Sequence, residues 1–176
     1  MTITVRRAGA ADAAELARIA AITFPLACPP STTEEAKADF IATALSERSF
    51  AGYLAEPDHI LLLAEVGDVS AGYTMLITGD PHDPDVASAV AARPTIELSK
   101  MYVMPEQHGA GVAAALMDAG LAAAREAGAR SVWLGVNNGN VRANRFYEKS
   151  GFVIVGHKKF HLGEVDEDDF VRELEL

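Results

Sequence analysis

From Val103 to Met117 the chain reads VMPEQHGAGVAAALM, setting a proline and two glycines directly before an alanine-rich apolar run. Ahead of it, Thr95–Val103 alternates as a strand. Behind it, about Gly111–Ala127 carries helical spacing and Gly128 stops it. A strand that passes through bare backbone into a helix constrains the fold strongly. The first turn of a helix leaves its N–H groups unpartnered and gathers about half a positive charge. Gly109 and Gly111 let an anion come close to that backbone and Ala113 keeps the approach open, so a diphosphate is the guest such a cradle suits. The same glycines would also serve a tight turn without a ligand.

The rest of the chain supplies strands first and last with helices between. Met1–Arg7 alternates Ile3 and Val5 with polar residues. Asp12 opens an amphipathic helix carrying Leu16, Ile19 and Ala20, which Pro25, Pro29 and Pro30 stop. Ser31, Thr32 or Thr33 caps a second helix that begins at Glu34 and Glu35 and buries Phe40, Ile41 and Leu45. Ile60–Val66 and Val69–Thr78, joined by Gly67 and Asp68, read as a hairpin. Gly79–Pro94 reads as a loop with one short helix at Val86–Ala91. Ser131–Val136 is a strand, Asn140 caps a helix presenting Ala143, Phe146 and Tyr147, and Phe152–Phe160 and Asp169–Leu174 are the last strands. In the Thr95–Val103 strand, a period of two places Glu97, Ser99, Met101 and Val103 on one face and Ile96, Leu98, Lys100 and Tyr102 on the other. The expected fold class is α/β (α+β), one domain over residues 1–176 with a mixed sheet of six to seven strands and about four flanking helices.

Charge and composition exclude several functions. The net charge is −10, and Glu164, Asp166, Glu167, Asp168, Asp169, Glu173 and Glu175 crowd the tail, a surface that repels phosphate backbones and argues against nucleic acid. It solubilises the protein and tolerates cationic small molecules. Arg6, Arg7, Asp12, Glu15 and Arg18 break any signal-peptide core, and no uncharged apolar run is long enough for a membrane helix, so no membrane partner and a cytoplasmic location are expected. Cys28, the single cysteine, has no partner for a disulfide or a thiolate metal site. The five histidines lack ligand spacing, so no metal is expected.

Three phosphate cradles compete for the glycines. A P-loop needs a lysine and a hydroxyl after its last glycine, where Val112 and Ala113 stand. Gly109–Ala114 matches the dinucleotide pattern GxGxxA, but Pro105, Glu106, Gln107 and His108 separate it from its strand, and Ala129 and Arg130 stand where its acid belongs. The third is a resemblance in two blocks. Val103, Met104 and Pro105, then His108, Gly109, Ala110, Gly111, Val112 and Ala113, followed by Asn140, Ala143, Phe146, Tyr147, Glu148, Lys149, Gly151 and Phe152, resemble the GCN5-related N-acetyltransferase (GNAT) family in order and spacing. His108 departs from the family's usual glutamine or arginine.

The resemblance implies a GNAT fold with a splayed strand pair forming an acetyl-CoA cleft. It places the pyrophosphate on His108, Gly109, Ala110, Gly111, Val112 and Ala113, the pantetheine arm beside Met101 and Val103, and a further arm contact at Asn140, which as a helix cap also has a structural explanation. An amine of pKa about 10.4 is neutral in roughly one molecule in 2,500 at pH 7, so about 4.6 kcal/mol must be recovered before it attacks a thioester. Glu97 resembles the strand glutamate that serves as base, through a water, in several family members; a structural ion pair or binding of a substrate cation would equally explain it. Tyr147 resembles the tyrosine that protonates the departing thiolate, with a packed aromatic as the plain alternative. The stretches ELSKMYV and FYEKSGFVIVGHKKFHLGE look most like the subgroup that acetylates polyamines and other small amines. Phe24–Thr33 and Asp80–Pro94 are expected to shape the acceptor site, and the family commonly dimerises. The function expected is N-acetyl transfer from acetyl-CoA to a small primary amine, with a non-catalytic coenzyme sensor, a peptide-amine acetyltransferase and a nicotinamide oxidoreductase as alternatives.

Overall fold

The computed structural model describes residues 1–176. Strands β1 (Ile3–Arg7), β2 (His59–Val66), β3 (Val69–Thr78), β4 (Thr95–Val103), β5 (Ser131–Asn137), β6 (Val153–Leu162) and β7 (Val165–Glu175) form one sheet in the spatial order β1-β2-β3-β4-β5-β7-β6. All neighbours are antiparallel except β4 and β5. Six helices accompany it: α1 (Ala13–Ala27), α2 (Glu34–Ala44), α3 (Glu47–Ala55), α4 (Pro84–Ala89), α5 (Val112–Glu126) and α6 (Val141–Lys149). The mixed α/β architecture is the expected one, with more helix than anticipated.

The added helix is α3. Ser46 caps it by accepting from Ser49 N–H, and Phe50 is fully buried beneath it, but Gly52 and a length of nine residues hide its periodicity. α4 starts two residues before its expected place because Asp83 caps it and Pro84 occupies its first position. α1 runs past Pro25 to Ala27, since a proline in the last turn forfeits a single helical bond. Of the three candidate caps for α2, Thr33 is the one that accepts, from Ala36 N–H at 3.0 Å.

One face of the sheet carries α1 and α3 over Leu61, Leu63, Tyr73 and Met75. The other carries α5 and α6 over Leu62, Leu76, Ile96, Leu98 and Val132. Two irregularities of β4 set the stage for chemistry. The first is a bulge: Met75 pairs with Lys100 but Leu76 pairs with Leu98, which leaves Ser99 as an extra residue. The bulge corrects the face assignment made by strict alternation. Met101 and Val103 join Ile96 and Leu98 on the α5 side, whereas Glu97 shares the α1 side with Lys100 and Tyr102. The second is a splay. β4 and β5 pair only across Thr95–Glu97 and Ser131–Trp133, and beyond Glu97 and Trp133 the ladder stops. A cavity of about 760 Å³ occupies that gap, bounded on one side by Phe24, Phe40 and Phe160 and on the other by Gly109, Gly111 and Tyr147.

Candidate active site

The mouth of α5 is built as an anion cradle. Gly109 and Gly111 adopt φ of +83° and +93°, and a Cβ added at Gly109 would meet nothing within 4 Å. That conformation turns the chain so that the N–H groups of Gly109, Gly111, Val112, Ala113 and Ala114 have no backbone acceptor. No acid stands in the first turn to compete for them, and the buried Val112 pins the helix start to the sheet. Ala110 differs, since its N–H already donates to Gln107 O at 3.2 Å.

His108 ties this mouth to the end of β4. Arg142 on α6 is an obligate donor, so the 2.9 Å contact from Arg142 Nη1 makes His108 Nδ1 an acceptor. Nε2 then carries the proton and donates it to Val103 O at 3.0 Å. Met101 and Val103 line the cavity on the same side as the cradle. Asn140 caps α6 through Oδ1, accepting from Ala143 N–H at 3.1 Å, so its side-chain oxygen has a structural task.

Tyr147 projects from α6 into the cavity between Phe146 and Phe152, at ring centroid separations of 5.5 and 5.9 Å. Its hydroxyl makes no hydrogen bond to the protein. Burial pushes the phenol up to about 12, which keeps its proton in place at neutral pH.

Across the gap, the α1 side of the cavity is aromatic and charged. Phe24 stacks on Phe40 at 4.6 Å, and Phe40 meets Phe160 edge-on at 6.0 Å. Glu97 stands where the β4–β5 ladder ends, without a hydrogen-bond partner; burial raises its carboxyl above the usual range against the pull of Lys158, Lys100 and His59. Lys100 lies over the Tyr53 ring at 5.7 Å, and burial lowers its ammonium. Burial also pushes the Asp169 carboxyl up to about 6, opposed by Lys158 and reinforced by Glu167 and Asp168. Phe24, Leu26, Ala27, Cys28 and Pro29 line this side as expected of their segment. Asp80–Pro94 does not: Val86 and Val90 pack instead on Trp133 and Val171, which holds that loop against β5 and β7 beside the cavity, where none of its residues lines it. α2 and β6 take its place.

Residues 22–152 match the family described as acetyltransferase (GNAT). The chain belongs to the GNAT acetyltransferase family. An N-acetyltransferase of Mycobacterium tuberculosis, described as uncharacterized, is 48% identical over 165 residues, covering 94% of this chain and 98% of the relative. A second, from Lactobacillus delbrueckii subsp. lactis, is 24% identical over 160 residues, or 91% of this chain and 90% of its own. Among solved structures, the PaiA N-acetyltransferase of Thermoplasma acidophilum in complex with coenzyme A shares the fold at a TM-score of 0.79 and 19% identity, covering 100% of both chains. The ribosomal-protein-S18-alanine N-acetyltransferase of Escherichia coli does so at 0.70 and 18%, over 99% of this chain and 94% of that one. The GNAT enzyme transfers an acetyl group, and acetyl-CoA is its cosubstrate. Its cradle suits the coenzyme, because free N–H groups and open space above Gly109 are what a pyrophosphate requires. No helix of the acetyltransferase is long and apolar enough to cross a membrane.

The structure brings Glu97, Tyr147, Met101, Val103, His108 and the cradle glycines around one cavity. Sequence reasoning did not find Arg142, Lys158 or Asp169. Arg142 lies on α6, and Lys158 and Asp169 lie on β6 and β7, where strand register decides which charged residues turn inward.

Proposed function

We propose that the protein N-acetylates a small primary amine by direct attack, with Glu97 as base through a water and Tyr147 as general acid. Acetyl-CoA supplies the acetyl group as a thioester. Glu97 receives the ammonium proton, the freed nitrogen forms a bond to the acetyl carbon as the carbon–sulfur bond breaks, Tyr147 gives its proton to the departing sulfur, and the second proton that the nitrogen sheds on becoming an amide restores the phenol. A single observation carries this reading: a carboxylate at the vertex of the β4–β5 gap and a phenol on α6, both without protein partners, line the same cavity from its two sides. The raised pKa values of Glu97 and Tyr147 support the roles of proton acceptor and proton donor.

A polyamine is the acceptor that the motif stretches resemble. Glu97, Glu167 and Asp169 in the cavity wall favour a cationic amine, while Lys100 and Lys158 oppose a second and third ammonium on the same molecule. The test is thiol release from acetyl-CoA with spermidine, spermine, amino acids, aminoglycosides and short peptides, against a control without acceptor. Acceptor-dependent thiol release is expected. Coenzyme binding with no release on any acceptor would turn the reading toward a sensor.

A further inference from the structure

The acceptor side of the cavity holds charges of both signs, and the coenzyme needs none of them. Its phosphates belong to the α5 mouth on the opposite face of the sheet, and its pantetheine arm is uncharged. Glu97, Glu167 and Asp169 are carboxylates; Lys100 and Lys158 are ammonium groups. Lys158 is the most telling. Its side chain is only 18% exposed, its stem passes over the bare backbone of Gly135, and its ammonium sits 5.7 Å above the Phe160 ring. The nearest carboxylate oxygen, Asp169 Oδ2, is 4.0 Å away, outside hydrogen-bonding distance. Lys158 therefore keeps its donors free inside a half-enclosed cleft, where an unsatisfied ammonium is costly. Asp169 moderates that cost without using the donors.

Glu97 lies within reach of the same field. Lys158 counts for more than Lys100 or His59 in drawing the Glu97 carboxyl downward. A cation-binding carboxylate and an anion-binding ammonium thus flank the place where the β4–β5 gap opens. A polycation would meet two lysines there, and a dianion would meet three acids. A ligand with one charge of each sign satisfies both.

We propose that the acceptor is an amino carboxylate, a small primary amine with a carboxylate a few bonds away, whose carboxylate is bound by Lys158 while its amine faces Glu97. The inference rests on the amine acetyltransferase reading above and narrows its substrate class. Lys158 sets specificity and takes no part in proton transfer. The aromatic wall of Phe24, Phe40 and Phe160 accepts the side chain of the amino carboxylate.

The test compares, by thiol release from acetyl-CoA, a set of α-amino acids with their primary carboxamides, the matching alkylamines and spermidine. The carboxamide has the less basic amine, so a preference for the acid does not arise from easier deprotonation. In the parent protein kcat/KM is expected to be roughly 10- to 100-fold higher for acid than for amide, the worth of one charge-assisted hydrogen bond. In Lys158→Gln the acid is expected to fall to the level of the amide through KM, and Lys158→Arg to recover most of the difference. Binding of acetyl-CoA by each variant reports that it is folded. Equal or better use of the amide, the alkylamine or spermidine by the parent overturns the proposal and leaves the acetyltransferase reading standing. A preference for acid that survives Lys158→Gln also overturns it. Silence toward every amine, with acetyl-CoA still bound, overturns both.

Discussion

His108 donates from Nε2 to the carbonyl of Val103, 3.0 Å away, and so fastens the loop before α5 to the last residue of β4. The cradle and the strand edge that together face the coenzyme are thereby held in one geometry. Arg142 fixes the tautomer that makes this possible. His108→Ala is expected to weaken acetyl-CoA binding about 5- to 10-fold, the value of one hydrogen bond. His108→Gln, which restores the family's common residue and retains a donor, is expected to stay within about threefold of the parent. Isothermal titration with acetyl-CoA distinguishes the two.

Gly111→Val places a β-branched residue at φ +93°, where L side chains are strained by about 1–2 kcal/mol, beside Ile3 Cδ1 at 3.6 Å from the new Cβ. The helix start is expected to shift and acetyl-CoA affinity to fall by at least about tenfold, with a smaller loss of melting temperature. Affinity equal to the parent would remove the cradle from the mouth of α5.

Tyr147→Phe deletes a hydroxyl that no protein group holds and leaves the ring contacts with Phe146 and Phe152 in place. Turnover is expected to drop roughly 100-fold while the dissociation constant for acetyl-CoA hardly moves. A parallel loss of binding would make the residue a packing element.

Glu97→Gln addresses the acid limb of the pH–rate profile. Burial raises the Glu97 carboxyl, so in the parent kcat/KM is expected to decline with acidification from a pH above the usual carboxylate range. In the variant that limb flattens and the rate falls about 100-fold or more. An unaltered limb assigns the proton to another group.

Asp169 predicts a change in stability. It is 8% exposed, and its carboxyl titrates near 6 in the fold against 3.8 when free. Between those values the folded protein binds more protons than the unfolded chain, so Asp169 costs stability progressively as pH rises from about 4 to 6. Asp169→Asn mimics the protonated form. It is expected to match the parent near pH 4 and to gain on the order of 1–3 kcal/mol at pH 7.5, several degrees in melting temperature. Equal melting curves at pH 7.5 would mean that Lys158 compensates Asp169 fully.

The element order was legible because its signals are local. Gly67 and Asp68 mark a hairpin, Asn140 and Thr33 mark helix starts, and Gly109 and Gly111 announce a cradle within a few residues of chain. The acceptor side was not, because it is assembled from pairings distant in sequence. Lys158 faces Asp169 only through the β6–β7 register, and β7 begins at Val165 rather than Asp169 because Gly163 and Glu164 turn a tight hairpin inside the acidic tail. Glu97 was found by its likeness to the family's strand glutamate, yet alternation set it on one face with Met101 and Val103. Alternation breaks at Ser99, and nothing in LSK differs from an ordinary strand.

That extra residue carries information of a kind no substitution could. Flattening the bulge with Ser99 kept in the ladder would carry Lys100 and Tyr102 to the aliphatic side while turning Met101 and Val103 toward the acceptor, whereas deleting Ser99 would leave all four where they are. In this strand the count of residues, as much as their chemistry, writes which side of the protein meets which substrate.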